Sequence, residues 1–228
     1  MRIIIFTDSM GRARPDIDEI ERTYYEDVYG YKLKKYFDKD EVELIYVESL
    51  DTQDAIHWSQ RMVAFRRPDL VIFHIGINDC VPRLFSKGNC KIVFNPVFRK
   101  LTKDFFIKLF SYFRYKITKV RPLVYVPKES FRNNLKEIMT EIKKYSPKCN
   151  FMAIGIAKSE LLNKKSYGFN RNVEEYNKIL KEIFGENFID INRIFENNFL
   201  ISDGLHLKKE SHQVVFEVLV KKIEEVKQ

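Results

Sequence analysis

Cysteine, glycine, proline, tryptophan and histidine are all scarce in this chain of 228 residues, with three, eight, seven, one and four copies. Cys80, Cys90 and Cys149 are odd in number and show no C-x-x-C spacing, which argues against a disulfide scaffold or a four-ligand zinc site. The few glycines form no phosphate-cradling loop of the kind a flavin or nucleotide binder needs. His57, His74 and His212 lack the convergent spacing of a metal site. There is no G-x-S-x-G elbow. No apolar run approaches the roughly 20 residues that span a bilayer. Ile3 to Phe6 is too short for the core of a secretory signal, and Asp8 interrupts it. The expected location is the cytoplasm, with peripheral contact to a membrane left open.

Apolar residues, by contrast, make up 45% of the chain, with 19 Phe and 12 Tyr. That content excludes a disordered chain and suffices for one substantial core. The formal charge of +8 suggests a nucleic-acid binder until its distribution is read. Residues 99–121 hold Arg99, Lys100, Lys103, Lys108, Arg114, Lys116, Lys119 and Arg121 against the single acid Asp104, so almost all of the excess is local.

Arg2 to Thr7, Val42 to Val47, Leu70 to Ile75, Phe151 to Ile156 and Phe188 to Ile191 read as strands. Between them lie helical patterns within Asp18 to Tyr36 and over Asp51 to Phe65, Lys128 to Tyr145 and Asn170 to Phe184. Lys208 to Val226 forms a last helix. Tyr25, Val28, Leu33 and Tyr36 offer an irregular apolar stripe, and Ile56, Met62, Val63 and Phe65 are available for packing. The alternation predicts a three-layer α/β/α sandwich around a parallel sheet, with ligands beyond the carboxyl ends of the strands. The chain reads as a single domain over 1–228, with an insertion or lid-like subdomain at 81–127 inside it.

Three polar groups follow strands or precede the last helix. Ser9 stands where the first strand turns, a place for a nucleophile or an ordinary cap. Asp203 and His206, in Ser202-Asp203-Gly204-Leu205-His206, could supply a base and the acid that orients it, or merely cap the last helix. Asn78, in Gly76-Ile77-Asn78-Asp79, could donate its amide N–H to a developing oxyanion, or form an Asx turn.

Together these pieces resemble the SGNH hydrolase family, the GDSL-type esterases and lipases. Thr7-Asp8-Ser9-Met10 stands for its first block, Gly76 to Asp79 for its third and Asp203 to His206 for its fifth. The resemblance implies a flavodoxin-like fold with a five-stranded parallel sheet. It implies Ser9 as nucleophile, His206 as general base and then acid, and Asp203 as its orienter. The oxyanion hole would take the Ser9 backbone N–H and the Asn78 side chain, with Asp8, Gly76 and Asp79 in support. Two departures stand out. Thr7 replaces the usual glycine of the first block, and the second block, Val47-Glu48-Ser49-Leu50-Asp51-Thr52, has no glycine, leaving a backbone N–H from Ser49 or a neighbour to serve. The implied activity is hydrolysis of small O-acyl groups through an acyl-enzyme, O-acetyl groups on a carbohydrate among them, with no metal and no cofactor. A lipid or thioester hydrolase and a catalytically weak binding protein are the alternatives.

Residues 94–121 interleave the basic side chains with Phe94, Phe98, Phe105, Phe106, Phe110, Tyr112, Phe113 and Tyr115. Phe98, Leu101, Phe105, Leu109 and Tyr112 form a helical stripe. It suits a subdomain packed on the sheet with solvated lysines, a lid over the site, or a helix pair docked on an anionic membrane. Stacking on single-stranded nucleic acid is the weakest of these readings, because no nucleic-acid module accompanies it.

Overall fold

The computed structural model describes residues 1–14, 18–89, 95, 96, 100, 105–195 and 198–227. Ile3, Ile4, Ile5 and Phe6 are wholly buried, because β1 (Arg2–Thr7) lies inside a sheet covered on both faces. It pairs in parallel with β2 (Glu41–Tyr46) on one side and β3 (Leu70–His74) on the other. β4 (Asn150–Ile154) and the short β5 (Phe188–Ile189) extend the sheet beyond β3, giving the order β2-β1-β3-β4-β5.

The helices that lie wholly within the described residues are α1 (Tyr29–Tyr36), α2 (Thr52–Trp58), α3 (Ile77–Cys80), α4 (Phe105–Tyr112), α5 (Arg114–Val120) and α6 (Lys128–Tyr145), followed by α7 (Glu160–Lys165), α8 (Phe169–Phe184), α9 (Ile191–Ile194) and α10 (Lys209–Lys227). The first crossover runs from β1 outward to β2, and the later ones run the opposite way. Right-handed connections therefore put α1 on one face and α2, α6 and α8 on the other. The contacts agree: α10 packs on α1, while α2 and α8 pack on α6. Phe131, Leu135, Ile138 and Ile142 of α6 are fully buried at helical spacing. The strand order reverses between β1 and β3, so a crevice opens at their carboxyl ends. Ser9 and Gly76 to Asp79 both lie there.

Two expected helices are broken. In the stretch from Asp18 only Tyr29 onward is α-helical, because the main chains of Arg14 and Thr23 pair and hold the preceding segment as a turn. Tyr25 and Tyr36 of the expected stripe are about half exposed. Past Trp58, α2 continues as a π-turn at Ser59–Val63 and a 3-10 turn at Ala64–Arg66. The wider turn rotates the residues after it out of phase, so Phe65 is exposed against Tyr145 rather than in the core.

α4 and α5 are separate helices joined at Phe113, whose φ of −90° and ψ of 6° leave the helical basin. Phe110 packs edge-on to Phe85, and Thr118 is buried against Tyr167 N. Phe105 and Tyr112, however, are 59% and 82% exposed, so these members of the stripe do not pack on the sheet. Phe94, Phe98, Leu101 and the Phe106 side chain lie outside the described residues, as do Cys90, Arg99, Lys103 and Asp104. Among the described residues, no helix is long and apolar enough to cross a membrane.

Candidate active site

The carboxyl end of β1 places the first group. Asp8 caps the turn Ser9–Gly11 by accepting from Met10 N at 2.9 Å, which leaves the Ser9 side chain beyond the strand end. Thr7 fits there because Gly11 has no side chain: a Cβ on Gly11 would fall 2.5 Å from Thr7 Cγ2. The Thr7 hydroxyl donates back to the main-chain oxygens of Asp8 and His74.

Ser9 Oγ lies 3.0 Å from His206 Nε2, and His206 Nδ1 lies 2.6 Å from Asp203 Oδ2. Gly204 takes a φ of +72°, open to glycine at little cost, and the turn it makes folds Asp203 back on its own loop. Asp203 Oδ1 thereby accepts from Leu205 N at 2.7 Å and from His206 N at 3.0 Å. Burial alone would raise the Asp203 carboxyl, but the bonds from the His206 ring and the two main-chain N–H groups outweigh it and hold it below the usual range. An ionised Asp203 fixes the His206 tautomer with its proton on Nδ1, so that Nε2 is the acceptor, reached by Ser9 Oγ and also by Arg14 Nη1.

Asn78 sits on α3, directly after β3. Its entry requires Gly76, whose φ is +120° and whose added Cβ would lie 2.8 Å from Ile156 Cδ1. Arg83 Nη2 donates to Asn78 Oδ1 at 3.1 Å, which turns the amide nitrogen the other way. That Nδ2 donates to Asp8 Oδ2 and Leu50 O, both at 3.3 Å, long bonds that a stronger acceptor can displace. Among the described residues, no main-chain oxygen accepts from the N–H of Ser9 or of Ser49. Ser49 has a φ of +55°, the left-handed conformation a glycine would take more cheaply, so the second block keeps a glycine-like bend without the glycine.

Behind these groups lie buried acids and histidines. Asp79 Oδ1 accepts from Thr52 N at 2.9 Å and Thr52 Oγ1 at 2.5 Å, and Asn134 donates to the same hydroxyl. Asp79 thus ties α3 to the start of α2. His74 bonds Tyr29 Oη at 2.9 Å, and Tyr29 stacks on His212. Burial pushes His74 down to about 3 and His212 to about 4, so both stay neutral core residues at neutral pH.

Burial likewise pushes Asp8 and Asp79 up to about 7. A carboxyl whose pKa is higher in the folded than in the unfolded chain keeps its proton longer in the native state. Its contribution to stability therefore falls as pH rises from about 4 to about 7. Asp79→Asn retains an acceptor for Thr52 and has no proton to lose. Its melting temperature relative to wild type should rise by several degrees between about pH 5 and about pH 7.5. Parallel melting curves across that window would refute the assignment.

The profile of the GDSL-like lipase/acylhydrolase family matches residues 46–219, about three quarters of the chain. The chain belongs to that family. The matched stretch holds Asn78, Asp203 and His206 but begins after Ser9, which the fold alone brings to His206. No match was found among curated proteins. Solved structures share the fold at low identity. A lipase/acylhydrolase from Enterococcus faecalis is 16% identical, with a TM-score of 0.65, and the alignment covers 99% of this chain and 96% of that one. An acetylxylan esterase from Geobacillus stearothermophilus is 16% identical, with a TM-score of 0.61 and coverage of 97% and 93%.

Two arginines of this GDSL-like hydrolase touch the site without any motif to announce them. Arg14 Nη1 lies 2.9 and 3.0 Å from the two ring nitrogens of His206, so its guanidinium sits against the ring. Arg83 holds Asn78 as described. Arg14 lies in an irregular loop and Arg83 beyond a four-residue helix, so neither belongs to a periodic pattern that reading could use. A small apolar cavity of about 10 Å³ adjoins Asp8 and is bordered by Met10, Ile75, Ile77, Ile156, Ala157 and Leu205. A larger one of about 400 Å³ borders Ser202 and Gly204 but touches neither Ser9 nor His206.

Proposed function

We propose that this hydrolase cleaves small O-acyl esters, O-acetyl groups on a carbohydrate first among them, through an acyl-enzyme on Ser9. The observation that carries the reading is the unbroken line from Ser9 Oγ through His206 to Asp203. Ser9 Oγ attacks the ester carbonyl while His206 Nε2 takes its proton. The tetrahedral oxyanion is met by Asn78 Nδ2 and the N–H groups of Ser9 and Ser49. His206 then gives its proton to the departing alcohol. Water, deprotonated by the same nitrogen, releases the acid and restores Ser9.

A short acyl group is supported by the small apolar cavity lined by Asp8 and Met10, the residues that flank Ser9 in the chain, although neither this cavity nor the larger one has Ser9 or His206 in its lining. Likeness in fold to an acetylxylan esterase supports a sugar as the alcohol. The test is a series of nitrophenyl esters. The acetate should be hydrolysed at least about 100-fold more efficiently than the octanoate, in line with the cost of overfilling a closed pocket. Equal or faster hydrolysis of the octanoate would favour the lipid alternative.

Peripheral contact with an anionic membrane is part of the same proposal. It is supported by the exposed Phe105 and Tyr112 on α4 beside Lys108, Lys116 and Lys119. Flotation with vesicles containing phosphatidylserine, but not with phosphatidylcholine alone, is the expected result. Flotation with neither would remove this part.

A further inference from the structure

We infer that the ester taken at Ser9 is carried by a molecule bearing an anionic group, a carboxylate or a phosphate, and that Arg83 and Arg114 hold that group. The inference rests on the ester-hydrolase reading above and names the class of its substrate.

Arg83 and Arg114 are both half-buried, and among the described residues both are bonded only to neutral acceptors. Arg83 Nη2 donates to Asn78 Oδ1 at 3.1 Å and to Asn78 O at 3.3 Å, and its guanidinium lies 4.2 Å from the centre of the Tyr125 ring. Among the described residues its buried Nε has no hydrogen-bond partner. Arg114 donates through Nε to Ser166 Oγ at 2.6 Å and through Nη2 to Pro82 O at 3.1 Å. Among the described residues, neither has a carboxylate within ion-pair distance, whereas Arg2, Arg66 and Arg132 each pair with a glutamate. Burial, and next the charge of Arg83, works against the cationic form of Arg114. Two neighbouring guanidiniums withdrawn from water without a counter-ion are costly, and a bound anion would offset that cost.

The location joins this pair to the chemistry. Arg83 grips the amide whose other end is the oxyanion donor, so an anion on Arg83 and Arg114 lies one side chain from the reacting carbonyl. The acids of the site have partners of their own: Asp8 accepts from Met10 N and Asn78, Asp79 from Thr52, and Asp203 from His206. The planar fork of arginine matches carboxylate and phosphate oxygens two at a time.

The test uses matched acetyl esters differing in one charge: O-acetylated glucuronate against O-acetylated glucuronamide, and O-acetylated glucose 6-phosphate against O-acetylated glucose. In at least one pair the wild-type kcat/KM should favour the anionic member by about tenfold or more, mainly through KM, and sodium chloride should shrink the preference. The pair that responds tells carboxylate from phosphate. Arg114→Gln should erase the preference, and Arg114→Lys, which keeps the charge but not the fork, should keep part of it. Equal treatment of both members in both pairs would overturn the inference, as would a preference that survives in a folded Arg114→Gln protein.

If no ester is hydrolysed at all, the hydrolase reading fails and the anion site is judged alone. Calorimetric titration of glucuronate and glucose 6-phosphate into the protein should then show binding that Arg114→Gln abolishes. Absence of heat for both would overturn it.

Discussion

Ser9→Ala should lower kcat/KM for a short acyl ester by about 10⁴-fold or more while leaving the protein folded. In the proposed mechanism the hydroxyl is the attacking atom, and it lies 3.0 Å from the His206 nitrogen that would take its proton; among the described residues no other hydroxyl stands within hydrogen-bond reach of His206. The same substitution removes little from the fold. Asp8, not Ser9, caps the turn, and among the described residues the Ser9 side chain bonds only His206. A stability change within about 0.5 kcal/mol is therefore expected. The measurements are nitrophenyl acetate hydrolysis and thermal melting on the same preparation. Full activity in a folded Ser9→Ala protein would eliminate the acyl-enzyme mechanism.

Asp203→Asn should cost about 10³- to 10⁴-fold in kcat near neutral pH, with KM little changed. Asp203 divides its two oxygens between two tasks. Oδ1 accepts the N–H groups of Leu205 and His206, which builds the loop, and Oδ2 accepts from the His206 ring. An asparagine carbonyl can take over the first task, so the loop should keep its shape. Its NH₂ cannot accept from the ring and instead donates to Nδ1. That puts the imidazole proton on Nε2, where it confronts the Ser9 hydroxyl with a donor in place of a base. A drop in kcat of less than tenfold would mean that Asp203 organises the loop without orienting the base. The two substitutions are separable: Ser9→Ala removes the proposed nucleophile, and Asp203→Asn leaves it present but unactivated.

Much of the fold is legible in the sequence because it rests on local patterns. Strands buried on both faces read as unbroken apolar runs, as in Ile3 to Phe6 and Leu70 to Phe73, and all five strands lie within a few residues of where those runs put them. The helix of Phe131, Leu135, Ile138 and Ile142 declares its buried face by spacing alone. Legibility ends where a local pattern is overridden. The π-turn at Ser59–Val63 turns Phe65 outward, and the pairing of Arg14 with Thr23 keeps the chain before Tyr29 from becoming helix. The exposed aromatics of α4 are a third case, since periodicity defines an apolar face without saying what covers it.

The sequence by itself determined the strand order's raw material, the scarcity of redox and metal-binding side chains, and three polar blocks in the order of a known family. It could not determine their meeting. Ser9 and His206 are 197 positions apart, and only the reversal of strand order between β1 and β3, together with the docking of α10 on α1, closes that distance to 3.0 Å. The tertiary structure also decided the two departures from the family pattern. Thr7 is accommodated by the missing side chain of Gly11, and the second-block bend is kept by Ser49 in a left-handed conformation. Arg14 against His206, and Arg83 with Arg114 beside Asn78, belong to the same category. Charge is written in the sequence, but which groups stand beside Arg83 and Arg114 among the described residues is a property of space.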